Sequence, residues 1–163
     1  MATPQSAIGN RQSAILLLVH GPNLNLLGER KPEVYGTTTL LDIEADVAAA
    51  ANARGASVIC YQSNHEGFLI DFLHEHRKLA HGVVLNAGAF THTSVALHDA
   101  IEAIVIPVVE VHISNTHARE GFRHRSFISP VCLGQVTGLG RAGYTVATNL
   151  LLDHLGAPAA APA

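Results

Sequence analysis

The apolar stretch Ala14-Ile-Leu-Leu-Leu-Val-His20 leads directly into the polar stretch Gly21-Pro-Asn-Leu-Asn-Leu-Leu-Gly-Glu-Arg-Lys-Pro-Glu-Val-Tyr-Gly36. A short and nearly continuous apolar run is typical of a strand that is covered on both faces of a parallel sheet. The polar segment that follows predicts a long loop, and loops of this length in compact domains are usually functional. The sequence therefore predicts a buried first strand, residues 13–20, that ends at a functional loop.

Four further apolar runs alternate with segments of helical periodicity. Thr39 can cap the first helix, with Asp42 returning a capping-box contact, and Gly55 can end it. Strands that alternate with helices indicate βαβ units and a parallel sheet. We predict a flavodoxin-like α/β three-layer sandwich with strand order 2-1-3-4-5 and helices on both faces. The predicted strands are 13–20, 56–62, 82–86, part of 104–112, and 131–136, and the predicted helices are 37–55, 67–80, 93–103 and 140–155.

The length of 163 residues fits one domain with a sizeable core. We predict a flexible N-terminal tail at 1–12, one α/β domain at 13–155, and a flexible Ala/Pro tail at 156–163. No run approaches the ~20 apolar residues of a membrane span, and the N-terminal segment has no long apolar core of a signal peptide. A cytoplasmic location is therefore predicted.

Composition narrows the class of partner. Charged residues make up only 14% of the chain, which fits either a surface partly covered by other subunits or an apolar core, and composition favours neither. A net charge of −3 gives no general basic field for nucleic acid. The local basic segment with Arg119, Arg123 and Arg125 suits one small anion. Cys60 and Cys132, which form no CxxC pair, predict buried free thiols in a reducing compartment.

Polar residues follow the first, third and fourth predicted strands. Ligands of such sheets bind beyond the carboxyl ends of the strands, at the point where the strand order reverses, so these residues are expected to meet in one cleft. The backbone amides of Ile113 and Ser114 could bind a carboxylate there. No Gly-rich phosphate loop follows the first strand. The candidate side chains are Asn23, Arg30, Tyr35, Asn86, His92, Asp99, Glu110, His112, Ser114, Arg119 and Arg123.

The residue types in this cleft indicate proton chemistry more than metal binding. Eleven histidines are present, but no HExxH motif or paired cysteines accompany them, so no metal site is predicted. A tyrosine near an arginine loses its proton more easily, because the cation favours phenolate. With Tyr35 as a base beside Arg30, His112 as a general acid and donors for an oxyanion, the site fits β-elimination of water next to a carbonyl. Taken alone, each of these three residues has an ordinary structural interpretation.

Three segments of the chain carry a resemblance to a known family. They are residues 20–36, Leu85-Asn-Ala-Gly-Ala-Phe-Thr-His-Thr-Ser-Val-Ala-Leu-His-Asp99 and Glu110-Val-His-Ile-Ser-Asn-Thr-His-Ala-Arg-Glu-Gly-Phe-Arg-His-Arg-Ser126. Together they resemble the three signature segments of type II 3-dehydroquinate dehydratase. The resemblance covers about residues 13–155. It implies dehydration of 3-dehydroquinate to 3-dehydroshikimate in the shikimate pathway, which leads to aromatic amino acids. It also implies that no metal or organic cofactor is needed, and that the assembly is a dodecamer of trimers.

The resemblance further implies roles for individual residues. Tyr35 would remove the C2 proton to give an enolate, with Arg30 lowering the pKa of this base. Asn23 would hold a water at the enolate oxygen, and residues 25–36 would act as a lid. His112 would protonate the leaving C1 hydroxyl. The remaining implied roles are substrate binding by Asn86, His92, Ile113, Ser114 and Arg123, a contact from Asp99 to a neighbouring subunit's site, orientation of His112 by Glu110, and ordering of the loop by Arg119.

Three other interpretations predict different behaviour. A Schiff-base mechanism for the same reaction needs a buried lysine, and the only lysines, Lys31 and Lys78, lie in a predicted loop and on a predicted helix. A non-catalytic flavodoxin-like protein would bind a nucleotide or carboxylate without turnover, and a scaffold protein would not explain the polar strand ends. The same reaction could also serve quinate breakdown, since the chemistry is identical.

Overall fold

The computed structural model describes residues 13–29 and 37–160 and contains a five-stranded parallel sheet. The strands are β1 (Ile15–His20), β2 (Ser57–Gln62), β3 (Gly82–Asn86), β4 (Val108–His112) and β5 (Gly134–Thr137). Their order is β2-β1-β3-β4-β5, with every neighbouring pair parallel. The predicted order is confirmed. His20 lies opposite Asn86 in the pairing of β1 with β3, which brings the ends of these two strands together.

Helices cover both faces of the sheet and form two separate cores. The helices are α1 (Leu40–Asn52), α2 (Glu66–His76), α3 (Val95–Ile104) and α4 (Ala142–His154). Leu16 and Leu18 of β1 pack in the core with α1 and α4, whereas Leu17 and Val19 pack in the core with α2 and α3. Because successive strand residues point to opposite faces, both faces of β1 must be apolar. This burial explains the continuous apolar run of the sequence.

The first helix begins and ends as its sequence predicts. The Thr39 hydroxyl accepts the Asp42 amide at 3.2 Å, and the Asp42 carboxylate accepts the Thr39 amide at 2.8 Å, which completes a capping box. Gly55 follows the helix with φ of 68°. The amides of Gly55 and Ala56 bond to the carbonyls of Asn52 and Ala51, so the last turn is closed in the left-handed manner that favours glycine.

Two predictions are wrong: the start of the fifth strand and the burial of the two cysteines. The fifth strand begins at Gly134, not at residue 131, because Ser129–Val131 forms a 3-10 turn that contains Pro130. Proline has no amide hydrogen to donate to a ladder, so a turn suits it better than a strand. Cys60 is exposed and Cys132 is half-buried, and neither forms a disulfide. Cys60 lies on β2, an edge strand that the helices cover only in part.

A buried arginine bonds the segment after α4 to the domain. The Arg54 guanidinium donates to the carbonyls of Asn149, Ala157 and Pro158 and contacts the Asp153 carboxylate at 2.7 Å. The boundaries of the predicted tails and domain stay a prediction. Within the described residues, no helix combines the length and apolar character that crossing a membrane requires.

Candidate active site

A cleft of about 160 Å³ lies at the carboxyl ends of β1, β3 and β4. This is the position that the strand order predicts, since the order reverses between β1 and β3. Its walls combine side chains from all three strand exits with apolar residues of the first loop. The lining residues are Pro22, Asn23, Leu24, Leu26, Leu27, Asn86, Gly88, Ala89, His92, His112, Ile113, Ser114, Thr116, Arg119 and Arg123.

The loop after β1 is fixed at its start. A Cβ at Gly21 would lie 2.3 Å from the Ala87 carbonyl oxygen, so only glycine fits there. The Gly21 amide donates to the Asn86 carbonyl at 2.7 Å, and the Asn23 amide donates to the Asn64 side chain at 2.8 Å. Asn23 has φ of 66°, in the left-handed region that asparagine tolerates better than most residues. Its side chain therefore lines the cleft from a well-defined backbone.

The two other first-loop candidates are not placed. Arg30 and Tyr35 lie outside the described residues, as does most of the predicted lid. Their contacts with the cleft stay a prediction.

His112 is bonded to a buried carboxylate at the end of β4. Its Nε2 lies 2.7 Å from Glu110 Oε1, and Glu110 is 0% exposed. The hydroxyl of Thr91 also donates to this carboxylate, and the hydroxyl of Ser126 lies 3.0 Å from both of its oxygens. The amides of residues 128 and 129 donate in turn to Ser126 Oγ. The Glu110 carboxylate thus accepts hydrogen bonds from three side chains inside the protein.

The balance of these contacts keeps Glu110 ionised. Burial alone would raise the pKa of the Glu110 carboxyl. The hydrogen bond and charge of His112, followed by the hydrogen bonds of Thr91 and Ser126, outweigh burial and hold this pKa below its usual value. A negative charge therefore lies beneath the cleft, and it is bonded to His112, which lines the cleft.

Asn86 at the end of β3 is held by two neutral partners. Its Nδ2 donates to the Tyr144 hydroxyl at 2.7 Å, and its Oδ1 accepts the Gly88 amide at 3.0 Å. Tyr144 is fully buried on α4, and burial raises the pKa of its phenol well above the ordinary value. The phenol is therefore neutral across the physiological pH range.

The basic side of the cleft comes from the segment after β4 and from the loop after β3. Arg123 Nε lies 2.9 Å from a Glu120 carboxylate oxygen, and Arg119 Nη1 lies 3.5 Å from the Ser114 hydroxyl. The ring of His92 lies nearly parallel to that of His112, with centroids 6.4 Å apart. The cleft thus offers two guanidinium groups and two imidazoles, which suits a small anion.

His20, the last residue of β1, contrasts with these side chains. It is fully buried and does not line the cleft, and neither of its ring nitrogens has a hydrogen-bond partner among the described residues. Its Nε2 lies 3.7 Å from a Glu44 carboxylate oxygen. Burial lowers the pKa of His20 to about 4, so the ring is neutral at pH 7.

Of the predicted site residues that the structure describes, all but one lie at the cleft. Asn23, Asn86, His92, His112, Ile113, Ser114, Arg119 and Arg123 line the cleft, and Glu110 lies beneath it. Asp99 does not line the cleft of its own chain, because it is exposed on α3. Thr91, Ser126 and Tyr144 support the site but were missed from the sequence. Within residues 13–29 and 37–160, no group of three or more His, Cys, Asp or Glu is placed to hold a metal.

Comparisons with known proteins agree on one family. The family model described as Dehydroquinase class II matches residues 14–152. A 3-dehydroquinate dehydratase of Ruegeria pomeroyi is 58% identical over 140 residues, which covers 86% of this chain and 94% of that protein. Catabolic 3-dehydroquinase 2 of Aspergillus flavus is 54% identical over 140 residues, with 86% and 93% covered. The crystal structure of a type II dehydroquinase from Propionibacterium acnes gives a TM-score of 0.83 at 38% identity, covering 88% of this chain and 99% of that one.

Proposed function

The chain belongs to the class II dehydroquinase family, and we propose that it is a hydro-lyase that converts 3-dehydroquinate to 3-dehydroshikimate. One structural observation carries the proposal. A histidine bonded to a buried, ionised carboxylate lines the same cleft as Asn23 and Asn86, at the carboxyl ends of neighbouring strands. A non-catalytic binding protein has no need to keep a charge buried beneath its ligand, since such burial is costly unless the charge is well bonded.

In the proposed mechanism, Tyr35 removes the C2 proton of the substrate and the electrons move onto the carbonyl oxygen to give an enolate. Arg30 favours the phenolate form of the base, and Asn23 holds a water against the enolate oxygen. The other two of the chain's three tyrosines fit the role of base poorly. Tyr144 is buried with a raised pKa, and Tyr61 on β2 stacks on Phe72 with ring centroids 4.2 Å apart.

His112 is proposed to donate the proton to the C1 hydroxyl as the C1–O bond breaks. The enolate collapses to the enone in this step, and water leaves. Because Nε2 of His112 is bonded to Glu110, the ring orientation is set and Nδ1 is the nitrogen left for the leaving hydroxyl. Glu110 also offsets the positive charge of the protonated ring. Glu110 therefore positions the acid and does not itself touch the substrate.

The rest of the cleft is proposed to bind the substrate's carboxylate and hydroxyls. The amides of Ile113 and Ser114 and the side chain of Arg123 would bind the carboxylate, while Asn86 and His92 would bind hydroxyls. Arg119 would order the segment through its contact with Ser114. Arg123 pairs with Glu120 at an exposed site, where an ion pair contributes little, so exchange of that contact for a substrate carboxylate costs little.

Absorbance growth in the near ultraviolet tests this proposal directly, because the product is an enone. Addition of 3-dehydroquinate to the purified protein is expected to give catalytic growth of this absorbance. No growth would overturn the proposal and leave the binding-protein interpretation. Borohydride added with substrate is expected to leave the protein unmodified. Lys78 is exposed and so lacks the buried setting that activates a Schiff-base lysine, and a trapped lysine adduct would overturn the tyrosine mechanism.

We place the reaction in the shikimate pathway, with quinate breakdown as the second candidate. The second candidate is favoured by one observation, the 54% identity to a relative named Catabolic 3-dehydroquinase 2. Deletion of the gene distinguishes them. A requirement for aromatic amino acids supports the biosynthetic role, and loss of growth on quinate alone supports the catabolic one.

The proposed assembly is a homododecamer of trimers in the cytoplasm. Large apolar side chains are exposed on and beside α2 and α3, including Phe68, Val95 and Val105, which supports contact with other subunits. Asp99 on α3 would then reach a neighbouring subunit's cleft. The unpaired state of Cys60 and Cys132 supports a reducing compartment. Light scattering tests the assembly, and a monomer with full activity would exclude the role of Asp99.

A further inference from the structure

We propose that Tyr144 is a positioning residue for substrate binding, because its buried hydroxyl accepts one N–H of the Asn86 amide and so leaves the other N–H for a ligand in the cleft. This inference rests on the proposed function, in which Asn86 contacts the substrate. Tyr144 does not itself line the cleft, so any effect it has on the substrate passes through Asn86.

The Asn86 side chain is fixed at both ends of its amide. Oδ1 accepts the Gly88 amide at 3.0 Å, and Nδ2 donates to the Tyr144 hydroxyl at 2.7 Å. Asn86 is 3% exposed and lines the cleft, so what remains accessible of this residue faces the cleft. An asparagine carries two N–H donors on one nitrogen. With one of them bonded to Tyr144, the other is the donor left for a substrate oxygen.

The Gly88 amide and the Tyr144 hydroxyl constrain the Asn86 side chain in different ways. The Gly88 amide is a donor only, so it selects the orientation in which Asn86 Oδ1 faces it and disfavours the reversed orientation, which would place two donors together. A hydroxyl is both donor and acceptor, so Tyr144 does not choose between the two orientations. Its contact instead fixes the rotation of the amide plane and gives the inner N–H a partner. Loss of the phenol oxygen removes the partner of Asn86 Nδ2 and leaves Oδ1 bonded to the Gly88 amide.

Tyr144 is itself held firmly enough for this task. Its ring is fully buried in the core between α1, α4 and the sheet. Its carbonyl accepts the Thr148 hydroxyl at 2.8 Å within α4, and the neighbouring ring of His20 lies at a centroid distance of 5.6 Å. Since the phenol is neutral, the support it gives Asn86 does not change with pH near neutrality.

Kinetics of Tyr144→Phe test the proposal. The variant keeps the ring and removes the one oxygen that accepts the inner N–H. We expect KM for 3-dehydroquinate to rise about tenfold, the scale of one buried hydrogen bond, with little change in kcat. Tyr61→Phe is the matched control, because Tyr61 lies on β2 and does not line the cleft. Urea unfolding of both variants confirms that each is folded under the assay conditions.

A double-mutant cycle with Asn86→Ala separates positioning from general loosening of the fold. If Tyr144 acts through Asn86, the Tyr144→Phe change raises KM in the wild-type background and has no further effect when Asn86 is already alanine. Equal increases in both backgrounds would overturn the proposal, as would an unchanged KM in Tyr144→Phe alone.

The same cycle keeps failure of this inference distinct from failure of the proposed function. An unchanged KM in Asn86→Ala would remove the substrate contact of Asn86 and with it this inference, while wild-type turnover would still establish the dehydratase. Absence of turnover in the wild-type protein would overturn both.

Discussion

His112 and Asn86 lie at the ends of neighbouring strands, line one cleft and are each held by a fully buried partner, yet the partners differ in charge. His112 is bonded to the ionised Glu110, which also accepts the hydroxyls of Thr91 and Ser126. Asn86 is bonded to a neutral phenol and a backbone amide. Hydrogen bonds to an ionised group are roughly twice as strong as neutral ones. The charged network around His112 suits a side chain that transfers a proton. The neutral partners of Asn86 suit a side chain that only donates a hydrogen bond in a fixed direction.

A third strand end shows that position alone does not make a functional side chain. His20 ends β1 beside Asn86, but it has no hydrogen-bond partner among the described residues and does not line the cleft. Its buried ring is neutral, with a pKa of about 4. The comparison therefore predicts catalytic effects at β4, binding effects at β3 and a pH effect on stability at β1.

The largest effect is expected from breaking the charged network. Glu110→Gln replaces an acceptor of three donors with an amide that can accept at only one atom, so a donor is left facing a donor. We expect kcat/KM to fall by about a hundredfold or more and the free energy of unfolding to fall by about 4 kcal/mol. Glu102→Gln, an exposed change on α3, is the control and is expected to alter neither quantity. Similar kinetics in the two variants would contradict the positioning role of Glu110.

The buried ring of His20 at the end of β1, which has no hydrogen-bond partner among the described residues, predicts a loss of stability in acid. The pKa of His20 is lowered from 6.5 to about 4 by burial, so the unfolded chain binds a proton more readily than the folded protein between these values. The free energy of unfolding should therefore decrease as pH falls from 6.5 to 4, by up to about 3 kcal/mol from this residue. Urea unfolding of wild type and His20→Gln across this range measures the difference. Parallel curves for the two proteins would contradict the buried neutral ring.

Removal of one hydroxyl from the charged network should give an intermediate effect. Thr91→Val keeps the shape of the side chain and deletes one donor to Glu110. We expect kcat to fall about tenfold, since bonds to charged groups contribute about 1.5–3 kcal/mol. Thr148→Val removes an equally buried hydroxyl that donates to the Tyr144 carbonyl and does not bond Glu110, so it should lower stability without lowering kcat. Equal losses of kcat in the two variants would show that the hydroxyl of Thr91 has no special role.

The smallest effect is expected at the rim of the cleft. Arg123→Ala removes a half-buried guanidinium that pairs with Glu120. We expect KM to rise about fivefold with kcat unchanged, because a partly exposed charge contributes about 1 kcal/mol to binding a carboxylate. Steady-state kinetics of the variant and the wild-type protein measure both quantities. A fall in kcat at unchanged KM would contradict the assignment of Arg123 to the substrate carboxylate.

The strand ends and their cleft could be predicted because their signal is local. The apolar run of β1, the capping box at Thr39 and the polar residues after β1, β3 and β4 all lie within short windows of sequence. Strand order then brings the exits together. The supporting residues could not be found this way. Thr91 and Ser126 lie 19 and 16 residues from Glu110, and Tyr144 lies 58 residues from Asn86.

No periodicity marks such long-range partners. A buried tyrosine on a helix looks like any core residue until the strand it faces is known. The exposure of Cys60 agrees with the predicted strand order, which places β2 at the edge of the sheet, and the prediction of a buried thiol rested on the apolar run alone.

The mechanism proposed above assigns the base to Tyr35 and the acid to His112. Proton NMR of 3-dehydroquinate in D₂O measures the two steps separately, through deuterium uptake at C2 and formation of the enone. In His112→Ala we predict that uptake at C2 continues while dehydration falls at least about a hundredfold, a typical contribution of a general acid. In Tyr35→Phe both should be lost. Dehydration at the wild-type rate in His112→Ala, or loss of C2 exchange in that variant, would contradict the account.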